Sequence, residues 1–323
     1  MLNTNHEKVE NFFDYLDNSA LAIYEHTKMS YLDALLLAVD YLLENEEKLT
    51  KLEDEILDKL KSLASLVLDI SFNKEEIRKA FQLALLKAFK HLNISYSDIT
   101  PDSIGLLYAY LTDLLYQSNK KISILDATVG SGNLLFSFLN NTNVHVGKIY
   151  GVDINSKYIN IAYYLAELLE YEVEFFNQDN LDKMLVPPVD LIISDLPTDE
   201  IVNIKDKITY KPYLMIENLF KYAKSGSYMI YLIPNNFFDH PKNDVMKNII
   251  LQNSYIQAIL QLPSDMFKDI SQQKSILILR KKGENVSVTR EILMLSFPSF
   301  SEQVKVKIAF DKINHWYKHN IKS

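Results

Sequence analysis

Apolar side chains recur at three- and four-residue spacing in four runs near the start of the chain, over residues 11–22, 30–43, 49–68 and 74–92. Each run predicts an amphipathic helix. Asn73 stands as an N-cap ahead of the last one, with Glu75 and Glu76 in its first turn. From about residue 96 the pattern changes to short apolar runs alternating with helical ones. Strands are predicted over 122–126, 148–153, 171–176, 189–194, 227–233, 255–261 and 275–281, and helices over 101–117, 132–140, 155–170, 212–224 and 240–252. Such alternation predicts an α/β fold with a parallel, doubly wound sheet. No helical run separates the last two strands, so one of them is expected to be the antiparallel arm of a hairpin. A tail strand over 290–297 and a final helix through Trp316 and His319 complete the series. The domain organisation expected is a helical region over 1–95 and an α/β domain over 96–323.

Composition narrows the chemistry. The chain has 323 residues, 48% of them hydrophobic, enough for a sizeable core. It lacks cysteine, which excludes disulfides, thiolate metal sites and thiol nucleophiles. No apolar run approaches 18 residues and the opening Met1-Leu-Asn-Thr-Asn-His-Glu is polar, so a cytoplasmic protein without membrane attachment is expected. The seven histidines are read as solvated or capping residues, and no metal site is expected. A net charge of −8 opposes nonspecific nucleic-acid binding, and only three residues, Arg78, Arg280 and Arg290, are the type best suited to reading bases. Residues 1–95 carry 17 acidic side chains against 11 basic ones. Solvated helix faces are the simplest reading; a docking surface for a protein partner is the alternative.

Glycine usage locates the candidate site. Four of only seven glycines, Gly130, Gly132, Gly147 and Gly151, lie within one short stretch. The segment Ile122-Ser-Ile-Leu-Asp126-Ala-Thr-Val-Gly130-Ser-Gly132-Asn133 reads as strand, glycine turn and helix start, an arrangement that lets backbone N–H groups approach a ligand. Asp153 ends the second strand, 21 residues beyond Gly132, where an acid can accept from ribose hydroxyls. Gln178 and Asp179 follow the third strand and Asp195 the fourth. In open α/β sheets ligands bind outside these carboxyl ends. Capping of loop amides by Asp126, Asp153 and Asp179 is the bland alternative. Leu135 replaces the third small residue of a dinucleotide fingerprint, which argues against a nicotinamide-dependent oxidoreductase. Nor does a catalytic histidine or Tyr–Lys pair stand near the strand ends.

Over about residues 98–282 the chain resembles the class I S-adenosylmethionine-dependent methyltransferases. It is similar above all to the adenine-N6 DNA methylases, including the modification subunits of type I restriction systems. Its helical N-terminal region resembles that of the small YtxK-like members alone. Asp126 through Leu135 is similar to the family's Asp-Pro-Ala-x-Gly-(Ser/Thr)-Gly-x-x-Leu loop, with Ala127 replacing proline. Ile99-Thr100-Pro101-Asp-Ser-Ile104 resembles the segment touching the methionine moiety. The hairpin segment Ile256 to Phe267 with Ser275 to Lys282 matches the group's terminal hairpin. The resemblance implies a Rossmann-like sheet preceded by a helical domain, and S-adenosylmethionine (SAM) as cofactor. It implies cofactor contacts at Thr100, Asp126, Thr128, Gly130, Ser131, Gly132, Asn133, Asp153, Ile154, Gln178 and Asp179.

The same resemblance places catalysis at Asp195, Leu196 and Pro197, where the family has (Asn/Asp/Ser)-Pro-Pro-(Tyr/Phe/Trp). An adenine amine is a poor nucleophile because its lone pair is delocalised. The acidic or amide side chain and the next carbonyl accept its two hydrogens and localise that pair, and the aromatic residue stacks on the flipped base. Here Asp195 keeps the side-chain acceptor and Leu196 keeps a carbonyl without proline's fixed φ. Thr198 cannot stack; Tyr210 and Tyr213 are the candidate replacements. Pro234-Asn-Asn-Phe-Phe238 is either a plain turn or part of the substrate side. About 40 residues follow Lys282, too few for a separate target-recognition region. Two functions of different class are therefore expected: methyl transfer to an adenine amine or another nucleic-acid or protein acceptor, or a SAM-binding sensor or interaction module without transfer.

Overall fold

Asn73 caps its helix as its sequence predicts. Its side chain accepts from the Glu76 N–H at 2.9 Å, and the Glu76 carboxylate accepts from the Asn73 N–H at 2.9 Å, a reciprocal capping box. The computed structural model describes residues 4–96, 99–116, 121–198, 201–204, 207–240 and 242–321. The helical series is α1 (His6–His26), α2 (Tyr31–Leu42), α3 (Glu46–Leu49), α4 (Asp54–Ala64) and α5 (Lys74–Leu92), the last closed by Asn93 in the left-handed region. The single helix expected over 49–68 is divided. Glu53, Asp54 and Glu55 suit the positive end of a helix dipole, so a new helix starts there, while Leu49 and Leu52 turn inward and pin the break.

The alternating series follows: α6 (Asp102–Leu115), β1 (Ile122–Asp126), α7 (Asn133–Asn141), β2 (Val146–Asp153), α8 (Ser156–Leu168), β3 (Val173–Asn177) and β4 (Val189–Asp195). Then come β5 (Ile201–Ile204), β6 (Lys207–Tyr210), α9 (Lys211–Leu219), β7 (Ala223–Pro234), α10 (Asn243–Asn253), β8 (Ser254–Gln261), β9 (Lys274–Lys281), β10 (Leu293–Ser296) and α11 (Gln303–Asn320). The expected end of the 101–117 helix at Gln117 lies outside the described residues. The antiparallel β5–β6 pair was not expected, and the helix expected over 212–224 ends early because Ala223 already pairs with Val189 of β4.

Two compact units emerge. One comprises the chain up to Tyr110 with Gly130–Asn143 and Asn155–Val173. Within it α1 packs on α2, α4 and α5, while α2 meets α8 and α5 meets both α7 and α8. The helical region is therefore built into the same unit as the two helices that follow the glycine turn and β2.

The other unit holds the sheet, of eight strands in the order β10-β8-β9-β7-β4-β1-β2-β3. Strands β1, β2, β4 and β7 pair in parallel, and β10 pairs in parallel with β8. Strand β9 runs antiparallel to both β7 and β8, as the missing crossover helix predicts. Ile124 and Leu125 of β1 and Leu191, Ile192 and Ile193 of β4 are wholly buried, as befits strands covered on both faces. Leu196, Met215, Met229, Tyr231, Phe237 and Leu277 share one apolar cluster beside the end of β4.

Candidate functional site

The residues that the sequence singles out fall into two groups, one in each unit. In the sheet unit, β1 ends at Asp126, whose side chain is wholly buried. Its Oδ1 accepts from the Thr128 N–H at 3.1 Å, and its Oδ2 has no hydrogen-bond partner among the described residues. Burial pushes its carboxyl up to about 8, with the Thr128 N–H acting against this and the charges of Asp153 and Asp195 adding to it. A buried carboxylate oxygen without a donor is costly to ionise, and a hydrogen-bond donor or a cation would offset that cost.

Thr128 joins the end of β1 to that of β4. Its hydroxyl lies 2.7 Å from Ser194 Oγ and 3.1 Å from the Asp195 carbonyl, and it accepts from the Asp195 N–H at 3.0 Å. Asn180, itself buried, donates to the Ala127 carbonyl at 2.9 Å, and Asn218 donates to the Asn180 carbonyl at 2.8 Å. At the next strand end, the Asp153 carbonyl accepts from the Gln178 N–H at 3.1 Å and from Asn177 Nδ2 at 3.0 Å. Asn177 also donates to the carbonyl of the exposed Ile154 at 2.9 Å. Gln178 Oε1 accepts from the Leu185 N–H at 3.1 Å, and Asp179 Oδ1 from the Leu181 N–H at 2.9 Å. Both side chains thus shape their own loop. Gly151 is explained by packing: a Cβ there would lie 2.8 Å from the Phe175 ring.

At the turn after β4, Asp195 and the Leu196 carbonyl are both engaged by Lys274. Its ammonium pairs with Asp195 Oδ1 and donates to the Leu196 carbonyl at 3.0 Å. Because β9 is antiparallel, its first residue stands at the carboxyl ends of its parallel neighbours. Pairing of Pro234 with Lys274, and of Leu232 with Asp195, puts the lysine beside the turn. The sequence offered one signal for it: a charge just ahead of the apolar run Ile276-Leu-Ile-Leu279. Tyr210 and Tyr213 are buried. The Tyr210 ring stacks on His240 at 3.7 Å, and its hydroxyl donates to the Thr198 carbonyl at 2.8 Å.

In the other unit Gly130 and Gly132 have positive φ, 53° and 86°, and a Cβ on Gly132 would meet Phe136 at 2.5 Å. Asn133 opens α7 with a buried, fully committed side chain: Oδ1 accepts from Arg78 Nη1 at 2.6 Å, and Nδ2 donates to the Thr100 carbonyl at 2.6 Å and to Asp102 at 3.2 Å. Ser131 is also buried. Arg78, from α5, is wholly buried and makes bidentate bonds to Glu75 (2.8 and 2.7 Å) and to Asp102 (3.0 and 2.8 Å). Burial pushes the Asp102 carboxyl up, but Arg78 outweighs it, and with Asn133 and Gln82 holds that carboxyl below the usual range. Sequence reading missed Arg78, although a scarce arginine three residues after a glutamate on an apolar helix face was the available signal.

Among the described residues no cluster of three or more His, Asp or Glu side chains could hold a metal ion. His315 and His319, one turn apart on α11, bring their rings to 4.1 Å without a third ligand. Nor is any described helix long and apolar enough to cross a membrane.

The sheet order, with one antiparallel strand inserted beside parallel neighbours, and the helical region ahead of it define a methyltransferase fold of the class I type. The chain belongs to the N-6 DNA methylase family, whose model matches residues 97–320. The YtxK N-terminal helical domain matches residues 10–89. The chain is 34% identical to the uncharacterized protein YtxK of Bacillus subtilis over 317 residues, 95% of this chain and 96% of that one. Among solved structures it is similar to one described as a candidate class I S-adenosylmethionine-dependent methyltransferase from Listeria monocytogenes. That likeness has a TM-score of 0.84 and 32% identity, covering 97% of this chain and 100% of the other. A type I restriction-modification methyltransferase subunit from Streptococcus thermophilus shares the fold, with a TM-score of 0.61 at 15% identity over 96% and 93% of the two chains.

Proposed function

We propose that the protein binds SAM through the residues that its family resemblance picks out, and that its turn Asp195-Leu196-Pro197 is built to hold the amine of a methyl acceptor. The observation that carries the cofactor reading is the buried Asp126 with an oxygen that lacks a donor among the described residues. SAM brings positive charge on its ammonium and sulfonium groups, and a cation beside Asp126 would offset the cost of ionising it. When bound, it supplies an electrophilic methyl group. The chain's own residues do the rest. Gly130 and Gly132 leave room for close backbone approach, Thr100, Ser131 and Asn133 line the same stretch, and Thr128 fixes the end of β1 to the end of β4. Asp153 with Ile154 offers a ribose acceptor, and Gln178 with Asp179 flanks the base.

Asp195 and the Leu196 carbonyl are the two acceptors that adenine-N6 chemistry requires, and Thr198 leaves the base without a stacking platform. The module boundary near residue 95 is supported by the family matches, which end at 89 and resume at 97. A second reading, cofactor binding without transfer, is favoured by one observation: Lys274 already holds both acceptors.

Calorimetric titration with SAM tests the cofactor reading. Micromolar binding is expected, weakened by about 1.5–3 kcal/mol in Asp153→Ala, the scale of a lost hydrogen bond at a charged group. A folded protein that takes up no SAM would end the cofactor reading. An Asp153→Ala variant with unaltered affinity would remove Asp153 from the ribose site.

A further inference from the structure

Lys274 presents to the turn the same pattern of donors that an acceptor amine would. A primary amine entering the turn has two N–H groups to give, one to Asp195 and one to the Leu196 carbonyl. The Lys274 ammonium gives one to each. The pairing is charge-assisted, and both side chains are largely buried, at 14% and 18% exposed. An adenine amine is neutral and would make two ordinary hydrogen bonds in the same place. It cannot displace an ion pair on equal terms, because displacement leaves a lysine charge without its carboxylate in a partly desolvated setting.

The placement is fixed by the fold. Strand β9 pairs with β7 without a break from Lys274 to Arg280, so the lysine cannot withdraw by sliding without breaking register. Its neighbours hold it further: the Leu262 N–H donates to the Lys274 carbonyl at 3.2 Å, and Ser275 Oγ donates to Asn235 at 2.6 Å. Only the side chain is free to swing.

We infer that Lys274 is a specificity-determining residue: its ammonium is a resident occupant of the amine seat and closes the Asp195-Leu196 turn to adenine. This rests on the reading of that turn as the acceptor seat, but not on SAM binding. It adds an exclusion to the missing platform at Thr198, so two independent features turn adenine away.

The test uses the full chain and a short single-stranded deoxyoligonucleotide carrying one adenine, against the same strand carrying N6,N6-dimethyladenine, which has no amine hydrogen to donate. Binding of each is measured with and without saturating SAM, for wild type, Lys274→Met, Lys274→Gln and the control Lys282→Met. Wild type and the control are expected to bind the two strands alike. Lys274→Met is expected to prefer the adenine strand by at least tenfold, and Lys274→Gln by a smaller factor, since its amide can fill one acceptor. Lys274→Gln keeps a polar group at the turn and serves if the methionine variant does not fold.

A lysine variant that folds and shows no preference, including one that binds neither strand, overturns the inference and leaves the contact as a tie between strand ends. A wild type that already prefers the adenine strand overturns it too. Failure of SAM to bind is read separately, from the cofactor titration, and leaves the comparison of the two strands intact.

Discussion

Replacing Arg78 by methionine tests whether the helical region is structurally part of the segment that opens α7. The substitution preserves much of the apolar stem and deletes one guanidinium that serves two carboxylates and an amide. Glu75 would keep Asn140 at 2.9 Å, and Asp102 would keep Gln82 at 3.0 Å and Asn133 at 3.2 Å. Neither would keep a cation. Breaking a buried ion pair by removing one partner costs about 3–5 kcal/mol. The Asp102 side chain is 31% exposed, and water there screens part of the loss, so the lower end, about 3 kcal/mol, is expected. That is a large share of a typical domain stability of about 5–15 kcal/mol.

Urea unfolding followed by circular dichroism gives the deficit, and its pH dependence identifies the cause. In the wild type Asp102 is held low, so its contribution is present above the ordinary carboxylate value and is lost as pH falls through the lowered one. Without Arg78, burial, which raises the same group, is opposed only by the hydrogen bonds from Asn133 and Gln82. The deficit should therefore be largest at pH 7 and shrink as the solution is acidified toward pH 4.5. Weaker SAM binding should accompany it, because Arg78 holds Asn133 and Asp102. A deficit below about 1 kcal/mol would refute the argument. One that ignores pH would reduce Arg78 to a packing residue.

Asp126 has its folded value raised, so the stability it confers should fall as pH rises from about 4 to 8 and level off above that. Asp126→Asn should flatten that slope in thermal melts. If SAM places a cation beside Asp126, binding near neutral pH should release a proton, seen as a dependence of binding heat on buffer ionisation enthalpy that Asp126→Asn abolishes. Deleting residues up to 95 should strip α7 and α8 of their partners α5 and α2 and yield insoluble protein, checked by expression and light scattering. A truncated chain that stays monomeric and melts cooperatively would show that the two helices do not depend on that support.

Much of the architecture was legible because periodicity is local. Asn73 announced the N-cap of α5, and the apolar runs of β1 and β4 fell within a residue of their predicted limits. The break between α3 and α4 was not legible, since Leu49 and Leu52 keep an apolar spacing through it. Ile201–Ile204 and Lys207–Tyr210 are each too short to separate strand from loop by alternation. The polar strand ends and the glycine turn could be read as candidate chemistry because each is contiguous in sequence. The pairings of two buried or half-buried cations, one in each unit, could not. Lys274 reaches a carboxylate 79 positions away, and Arg78 an amide 55 away, and nothing local links either cation to its partner.

The order of the sheet has a consequence for how the protein is made. Strand β9 is synthesised after β8 yet lies between β8 and β7. Until it emerges from the ribosome, the outer flank of β7 has no neighbour and β8 has nowhere to dock. The growing chain must carry an open strand flank through some forty residues of synthesis, a stage at which unpaired edges invite wrong partners. Insertion of β9 closes that gap and, in the same motion, delivers Lys274 to Asp195. The contact between Lys274 and Asp195 therefore cannot form before β9 has been made and has paired with β7.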